Sequence, residues 1–575
     1  MSILCQLLSR CVSTGPSKRI FIFILGLALV ISITIVLNTM YSNQESNFLN
    51  RANKLRVVYS IQSSFRNVDS KLYPYQLSHM SSATPNQNHT KKPTSSTSTS
   101  TATSTTTKAT STNRPSRYLT TVRVANSRTT THWGSWNAKE TSISTPDPWR
   151  DRCKEVRRRI SHGLEDYARR SGDAELQALV QPVFTRKKLV VWSADHHIGP
   201  MADLRSLFEP LGVEFLEHTL YFHCDRMCTC DQKTYTKVLD QHNVLHALGS
   251  DVIERFMREH KNDSDFSRAD AYLSSWSSNL LELFMRYNRS IVFHCPIRFD
   301  YPLNGQPDHS RTVIDLIKRL GTNEANIFSA NSRYDAHYIK YFTGINVDYV
   351  PSFCVYTGET YQPIRKSFLL WERRLGFNYG LREYWTDHFD GYIKRSGVKI
   401  ELLDVRNVYN GIEYRDMVKH LGITHIPYQV SLMSFFEHYR MDIPLFCPSL
   451  EFIIFLHHRF YTVYDRTPNG GAEPTMRGSK LPVHPSMAGT PDPNNDFDLA
   501  SIRYWMPLAD CYNFPHITYF DSFEHLVETL HNMTEPRLLR ISNSMRVWNR
   551  ENLKEILRYW RRRLLNIAFY RMFDS

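Results

Sequence analysis

Two stretches of this chain carry residue types that could do transfer chemistry. The first is Asp195-His196-His197, directly after the apolar run Leu189-Val190-Val191-Trp192. A histidine there suits a general base that takes a proton from an attacking hydroxyl, because its ordinary pKa lies near neutrality. A neighbouring carboxylate can orient it and raise its basicity. The competing reading is a structural polar loop. His294, at the end of another apolar run, is a weaker candidate of the same kind. The second stretch runs from His425 to Pro444 and reads as strand, turn, helix, strand. Ser434 and Glu437 lie three residues apart, on one face near the helix start. Free N–H groups and the helix dipole favour an anion at that end. A carboxylate one turn in could accept hydrogen bonds from ribose hydroxyls, or could simply complement the dipole. Arg373 and Arg374 follow the run Ser367–Trp371. They are candidates to clamp a diphosphate with paired N–H groups, or a solvated surface pair. Tyr428 could stack on a nucleobase or sit in the core.

These residues need elements that place them at strand ends. The pattern predicts helices over 150–182, 201–209, 240–260, 270–287, 313–320 and 333–342, the last ending before Gly344. Short apolar strands alternate with them at 189–192, 213–216, 290–295, 327–329 and 347–351. The pattern restarts with strands at 367–371, 399–403, 425–428 and 443–446, a helix over 431–440, and helices over 522–532 and 549–571. Strands separated by helices imply parallel βαβ units. The expected fold class is therefore α/β, with two doubly wound, Rossmann-like domains facing a cleft. Ligands of such sheets bind beyond the carboxyl ends of the strands.

The segment Ser434-Phe-Phe-Glu437, followed after six residues by Pro444, resembles the donor site of GT-B fold glycosyltransferases, whose C-terminal domain carries a pattern of the type S-x-x-E-x-x-x-x-x-x-P. The stretch Phe328–Tyr338 through Ser352 is similar to the family's last N-domain strand, helix and crossing to the second domain. The final amphipathic helix, with Leu553, Ile556, Leu557, Trp560 and Leu564 on one face, is similar to the one that crosses back. The resemblance covers residues ~187–570 in pattern. It implies a nucleotide-sugar donor, with Glu437 on the ribose, Ser434 on a phosphate or ribose oxygen, Arg373, Arg374 and Tyr428 as further donor contacts, and His196 or His197 with Asp195 as the base. It also implies no bound metal, because cationic side chains and helix dipoles stabilise the leaving diphosphate. Many retaining members have a second glutamate eight residues after the first. Here that position is Leu445, a departure from the retaining pattern.

Other transfer classes fit less well. Metal-dependent GT-A enzymes need a D-x-D at a strand end. Asp263-Ser264-Asp265 and Asp496-Phe497-Asp498 follow no convincing strand. Golgi sulfotransferases need a Gly-rich or basic phosphate loop after the first strand, and Ser193–Pro200 has one Gly and no Lys or Arg. A noncatalytic lumenal binding protein on a degenerate transferase fold is a further alternative. Cys224, Cys228 and Cys230, with His218 and His223, could hold zinc, but disulfides or free thiols suit an oxidising compartment better.

The compartment follows from Ile20–Leu37, an uncharged apolar run that reads as a signal-anchor. Arg10, Lys18 and Arg19 precede it, which favours an N-terminus inside. Sequons at Asn88, Asn262, Asn288 and Asn532 fit a lumenal remainder. The expectation is a single-pass type II Golgi membrane protein: tail 1–19, anchor 20–40, Ser/Thr-rich stem 41–149, acceptor domain 150–360 and donor domain 361–575. Net charge is +14. In a lumen this points to anionic nucleotide-linked donors or acidic glycans rather than nucleic acid. The expected partners are a nucleotide-sugar donor, a glycan or glycoprotein acceptor, and the membrane through one N-terminal helix.

Overall fold

A computed structural model describes residues 148–220, 228, 238–240, 243, 248–303, 306–371, 379–409, 413–468 and 474–573. All lie in one compact unit, Ser135–Ser575. The apolar run Ile20–Leu37, the stem, Asn88, His223, Cys224, Cys230, Arg373 and Arg374 fall outside the described residues. Among the described residues, no helix is long and apolar enough to cross a membrane.

The unit is α/β with two all-parallel sheets. The first holds β1 (Leu189–Asp195), β2 (Val213–Thr219), β3 (Ala271–Ser274), β4 (Ser290–Cys295), β5 (Ile327–Ala330) and β6 (Asp348–Tyr349), in the order β2-β1-β3-β4-β5-β6. The second holds β7 (Phe368–Trp371), β8 (Leu402–Asp404), β9 (Ile423–His425), β10 (Leu445–Pro448) and β11 (Thr518–Phe520), in the order β8-β7-β9-β10-β11. The two orders match. In each, the chain starts at an inner strand, adds one neighbour on one side, then continues on the other. Each sheet therefore has a crevice beyond its starting strand, where the winding reverses. In the first sheet that crevice lies between β1 and β3, in the second between β7 and β9.

The strands form where the sequence is continuously apolar, as buried parallel strands require. Every residue of β1, β3, β4 and β5 is buried. Several expectations need correction. Residues 270–287 are not one helix: Ala271–Ser274 is strand β3, and only Leu280–Phe284 is helical. β9 ends at His425 rather than running to Tyr428, because Pro427 has no N–H to give the ladder. The helix expected over 240–260 is Ser250–Glu259, that over 549–571 begins earlier, at Glu535, and that over 150–182 is split into Pro148–Ser171 and Ala174–Leu179. The helix Arg333–Thr343 stops at Gly344, whose φ of +75° is the left-handed cap that glycine adopts without strain.

Two helices cross between the sheets. Pro148–Ser171 opens with Pro at its first position, where a missing N–H costs nothing. Its Tyr167 ring lies under the guanidinium of Arg440 from the second half, 4.3 Å from centroid to carbon. The final helix, Glu535–Phe573, begins against the second half, where Asn549 donates to Asp442 at 2.8 Å. It ends on the first sheet, where Leu553, Leu557, Trp560 and Leu564 pack with Val191, Val213 and Val292.

Candidate functional site

Asp195 ends β1, and its carboxylate sits in the first sheet's crevice. It accepts backbone N–H bonds from His197 at 3.1 Å, Ser275 at 2.8 Å and Trp276 at 3.1 Å. Ser275 and Trp276 follow β3, so this one side chain ties the two loops that flank the crevice. Burial pushes its pKa up to about 6, with the backbone N–H groups pulling the other way. The carboxylate is thus engaged with backbone rather than with a neighbouring imidazole.

The two histidines beside it differ. His196 is half-buried and stacks on Trp276, with ring centroids 4.6 Å apart. His197 is exposed and caps the helix Ile198–Phe208, its Nδ1 accepting from the Gly199 N–H at 3.3 Å. A neutral imidazole that accepts at Nδ1 carries its proton on Nε2, so it has no second lone pair for a base to use. His196 is the better placed of the pair. His294 is fully buried within β4, bonds Ser329 Oγ at 2.9 Å, and is held neutral, its pKa lowered to about 3 by burial.

In the second half, the helix Met433–Arg440 starts beyond β9. Its N-cap, Leu432, offers no side-chain acceptor, and the Leu432 N–H donates to Asp510 Oδ2 at 3.2 Å. Ser434 is half-buried in its first turn. Glu437 lies one turn further in. Its Oε1 accepts from the hydroxyls of Tyr356 at 2.7 Å and Tyr414 at 2.8 Å. Burial pushes its pKa up to about 7, against the lowering effect of those two hydroxyls, while the charge of Asp203 adds to the rise. Asp203 is itself buried, accepts from the backbone of Phe353 and Cys354, and is raised to about 6 by burial. Tyr428 is half-buried past the end of β9 and stacks on Tyr464 at 5.5 Å.

The carboxyl ends of the two sheets meet. Ser431 Oγ donates to Asn331 Oδ1 at 3.3 Å, linking the loop after β9 to the loop after β5. Asn331 Nδ2 lies 3.9 Å from Met433 Sδ. A Cβ added to Gly199 would stand 3.4 Å from Met433 Cγ. The N-termini of three helices, starting at Ile198, Arg333 and Met433, therefore converge here. A small cleft with about 10 Å³ of room, enough for about one water, lies beside them, lined by His425, Gln429, Leu432, Phe435, Asp510 and Cys511 among others. At its edge, His425 Nε2 and His438 Nδ1 lie 2.9 Å apart. Burial lowers the pKa of both, so they share a hydrogen bond as neutral rings.

Sequence reasoning missed a charged group at the same junction. Arg298, after β4, is fully buried and donates to the Asp465 carbonyl of the second half. Its Nη1 stands 3.9 Å from Asp335 Oδ1, and both atoms lack a hydrogen-bond partner. Asp300 accepts from Tyr338 at 2.9 Å, and burial lifts its pKa to about 7 and that of Asp335 to about 6. Asp510 is also raised by burial. The available signal was position: Arg298 and Asp300 follow the proline that stops β4.

The rejected metal motifs have structural work. Asp263 caps Ser264–Arg268. Asp498 caps Leu499–Trp505, and Asp496 pairs with buried Arg466 at 3.4 Å. Cys228 forms a disulfide with Cys153, which removes it as a zinc ligand. Among the described residues no group of three or more His, Cys, Asp or Glu is arranged to hold a metal ion. Asn262, Asn288 and Asn532 are all exposed. No protein-family model matches the chain, and no curated protein sequence matches it.

Proposed function

We propose that this chain is a glycosyltransferase of GT-B type, moving a sugar from a nucleotide-sugar donor to a glycan or glycoprotein hydroxyl. One observation carries the reading. Two parallel sheets of like order bring their carboxyl ends to one junction, and three helix N-termini point into it. Such ends suit a diphosphate, which takes N–H groups and a favourable dipole without a metal. The helix Met433–Arg440 is the best of the three for this, because its own N-cap residue, Leu432, makes no side-chain bond to its first turn and Asp510 takes only the Leu432 N–H.

In this reading Ser434 lies by the phosphates, Tyr428 by the base, and His196 takes the acceptor proton. Arg373 and Arg374, which follow β7 directly, would add cationic contacts. Glu437 reaches ribose only if its bonds to Tyr356 and Tyr414 open; as placed, it holds the crossing segment. The Cys153–Cys228 disulfide and three exposed sequons support an oxidising, glycosylating compartment, and so a lumenal domain on a Golgi anchor. The cavity at the junction has about 10 Å³ of room, enough for little more than one water and far below the roughly 300 Å³ of ordinary ligand pockets, which favours a second reading: a noncatalytic lumenal binding protein on a transferase scaffold.

The test is a thermal-shift screen of nucleotide sugars on the full-length chain in detergent, beside Ser434→Asp. A donor at about 100 times its Kd adds roughly 2.7 kcal/mol of stability. Aspartate in the first turn complements the dipole and preserves the helix, yet repels a diphosphate. Stabilisation by one nucleotide family, lost in Ser434→Asp, supports transfer. A well-folded chain that no nucleotide sugar stabilises refutes it and leaves the noncatalytic reading.

A further inference from the structure

We infer that Cys447 and Cys511 are a disulfide-forming pair, a second covalent tie beside Cys153–Cys228. Both are thiols in this structure. Cys447 lies in β10, in register with Tyr519 of β11. The Tyr519 hydroxyl donates to the Cys511 carbonyl at 2.7 Å, and the Tyr512 hydroxyl donates to the Pro448 carbonyl at 3.1 Å. The rings of Tyr512 and Tyr519 stack at 5.9 Å. These contacts fix the turn Asp510–Tyr512 over the ends of β10 and β11, and the Cys511 thiol faces the Cys447 thiol. Among the described residues, the other two free cysteines have different surroundings. Cys295 donates to the Ile297 carbonyl at 2.7 Å, and Cys354 lies by Asp203 and Tyr356.

The two sulfurs differ in access. Both are buried, but Cys511 is 5% exposed against 0% for Cys447, and only Cys511 of the two lines the small cleft, so a local opening there reaches its sulfur first. Cys511 is therefore the sulfur that meets an oxidant, and Cys447 the one that resolves. With oxidised glutathione, the Cys511 thiolate attacks one glutathione sulfur. The glutathione S–S bond breaks and one thiolate leaves. Cys447 then loses its proton to solvent and attacks the Cys511 sulfur, expelling the second glutathione. Two protein thiols give up two electrons and two protons, and one glutathione disulfide becomes two thiols.

The tie bears on the cleft. Asp510, next to Cys511, accepts the Leu432 N–H at the head of the Met433–Arg440 helix. Closing the bond pins that acceptor to β10. The inference needs no sugar transfer to hold.

The experiment maps thiols in the full-length chain. One portion is incubated with oxidised glutathione and one with dithiothreitol. Each is then alkylated under denaturing conditions, digested and read by mass spectrometry. The Cys153–Cys228 peptide reports that oxidation and mapping worked. The expected result is a linked Cys447–Cys511 peptide, two hydrogens lighter, as the main form after oxidation, with both residues alkylated after reduction. Alkylated Cys447 and Cys511 in the oxidised sample, beside an intact Cys153–Cys228 link, would overturn the pairing. In Cys447→Ala, Cys511 is expected as a stable glutathione adduct. Recovery of unmodified Cys511 there would overturn the assigned order of attack. The wild-type map stands whether or not that variant folds.

Discussion

The two crevices share a topology and differ in chemistry. In the first sheet, a buried carboxylate bridges the loops after β1 and β3 through three backbone N–H groups. In the second, the corresponding place beyond β7 and β9 holds two neutral imidazoles and the Trp371 ring, whose centroid is 4.6 Å from that of His438. A carboxylate bound to backbone fixes loop geometry. An imidazole pair spends its hydrogen bond on itself, and the small cleft lies beside it. Strand order thus decides where a crevice forms, and a few side chains decide whether it is closed from within.

The largest expected effect falls on the first crevice. Asp195→Ala leaves three N–H groups without their acceptor in a buried place, at a cost of about 3–5 kcal/mol. A denaturant titration should place its midpoint far below the wild type, and a shift near zero would mean that the loops hold without the clamp. The second crevice should respond less and in a coupled way. His438→Leu strands His425, costing roughly 1–3 kcal/mol, whereas the double variant with His425→Phe recovers much of that. Additive losses in the cycle would deny the pairing.

Glu437 sharpens the comparison through pH. Its folded pKa, about 7, lies above the ordinary value of 4.5. The folded state therefore holds this proton longer than the unfolded one. The associated stability is complete below about pH 4.5 and falls away as pH rises to 7, by roughly 3 kcal/mol at most. Melting curves across that window should show a decline that Glu437→Gln flattens; an unchanged slope would assign the decline to other acids. The smallest effect belongs to Trp276→Leu, which removes the stack on His196 for about 0.5–1.5 kcal/mol. If His196 is the base, activity should fall more than stability does. Equal losses would make the stack merely structural.

How much of this was legible in the sequence depends on range. β1, β4 and β7 stand out as apolar runs, and Gly344 punctuates its helix. β3 was hidden because Ala271-Tyr-Leu-Ser runs into Ser/Trp and then a helical stretch, and its strand character comes from pairing with β1 and β4. The histidines after β1 were found by position. Their division of labour was not, since it rests on which nitrogen caps a helix. Arg298, Asp300 and Asp335 were missed because their meaning comes from partners on other elements: the Asp465 carbonyl for Arg298, the Tyr338 hydroxyl for Asp300 and Arg298 for Asp335. Glu437 was found as a carboxylate near a helix start, but its partners Tyr356 and Tyr414 come from other elements.

The last helix carries a consequence for how the molecule is made. Its 39 residues span roughly 58 Å, and its distal half supplies Trp560, Leu564 and Ile567 to the core under the first sheet. The half of the protein synthesised first is therefore completed last, after the second sheet has emerged and the final turn has been added. A chain stopped short of residue 560 would keep every strand of both sheets yet leave the older one uncovered, a form that quality-control machinery would meet as exposed apolar surface.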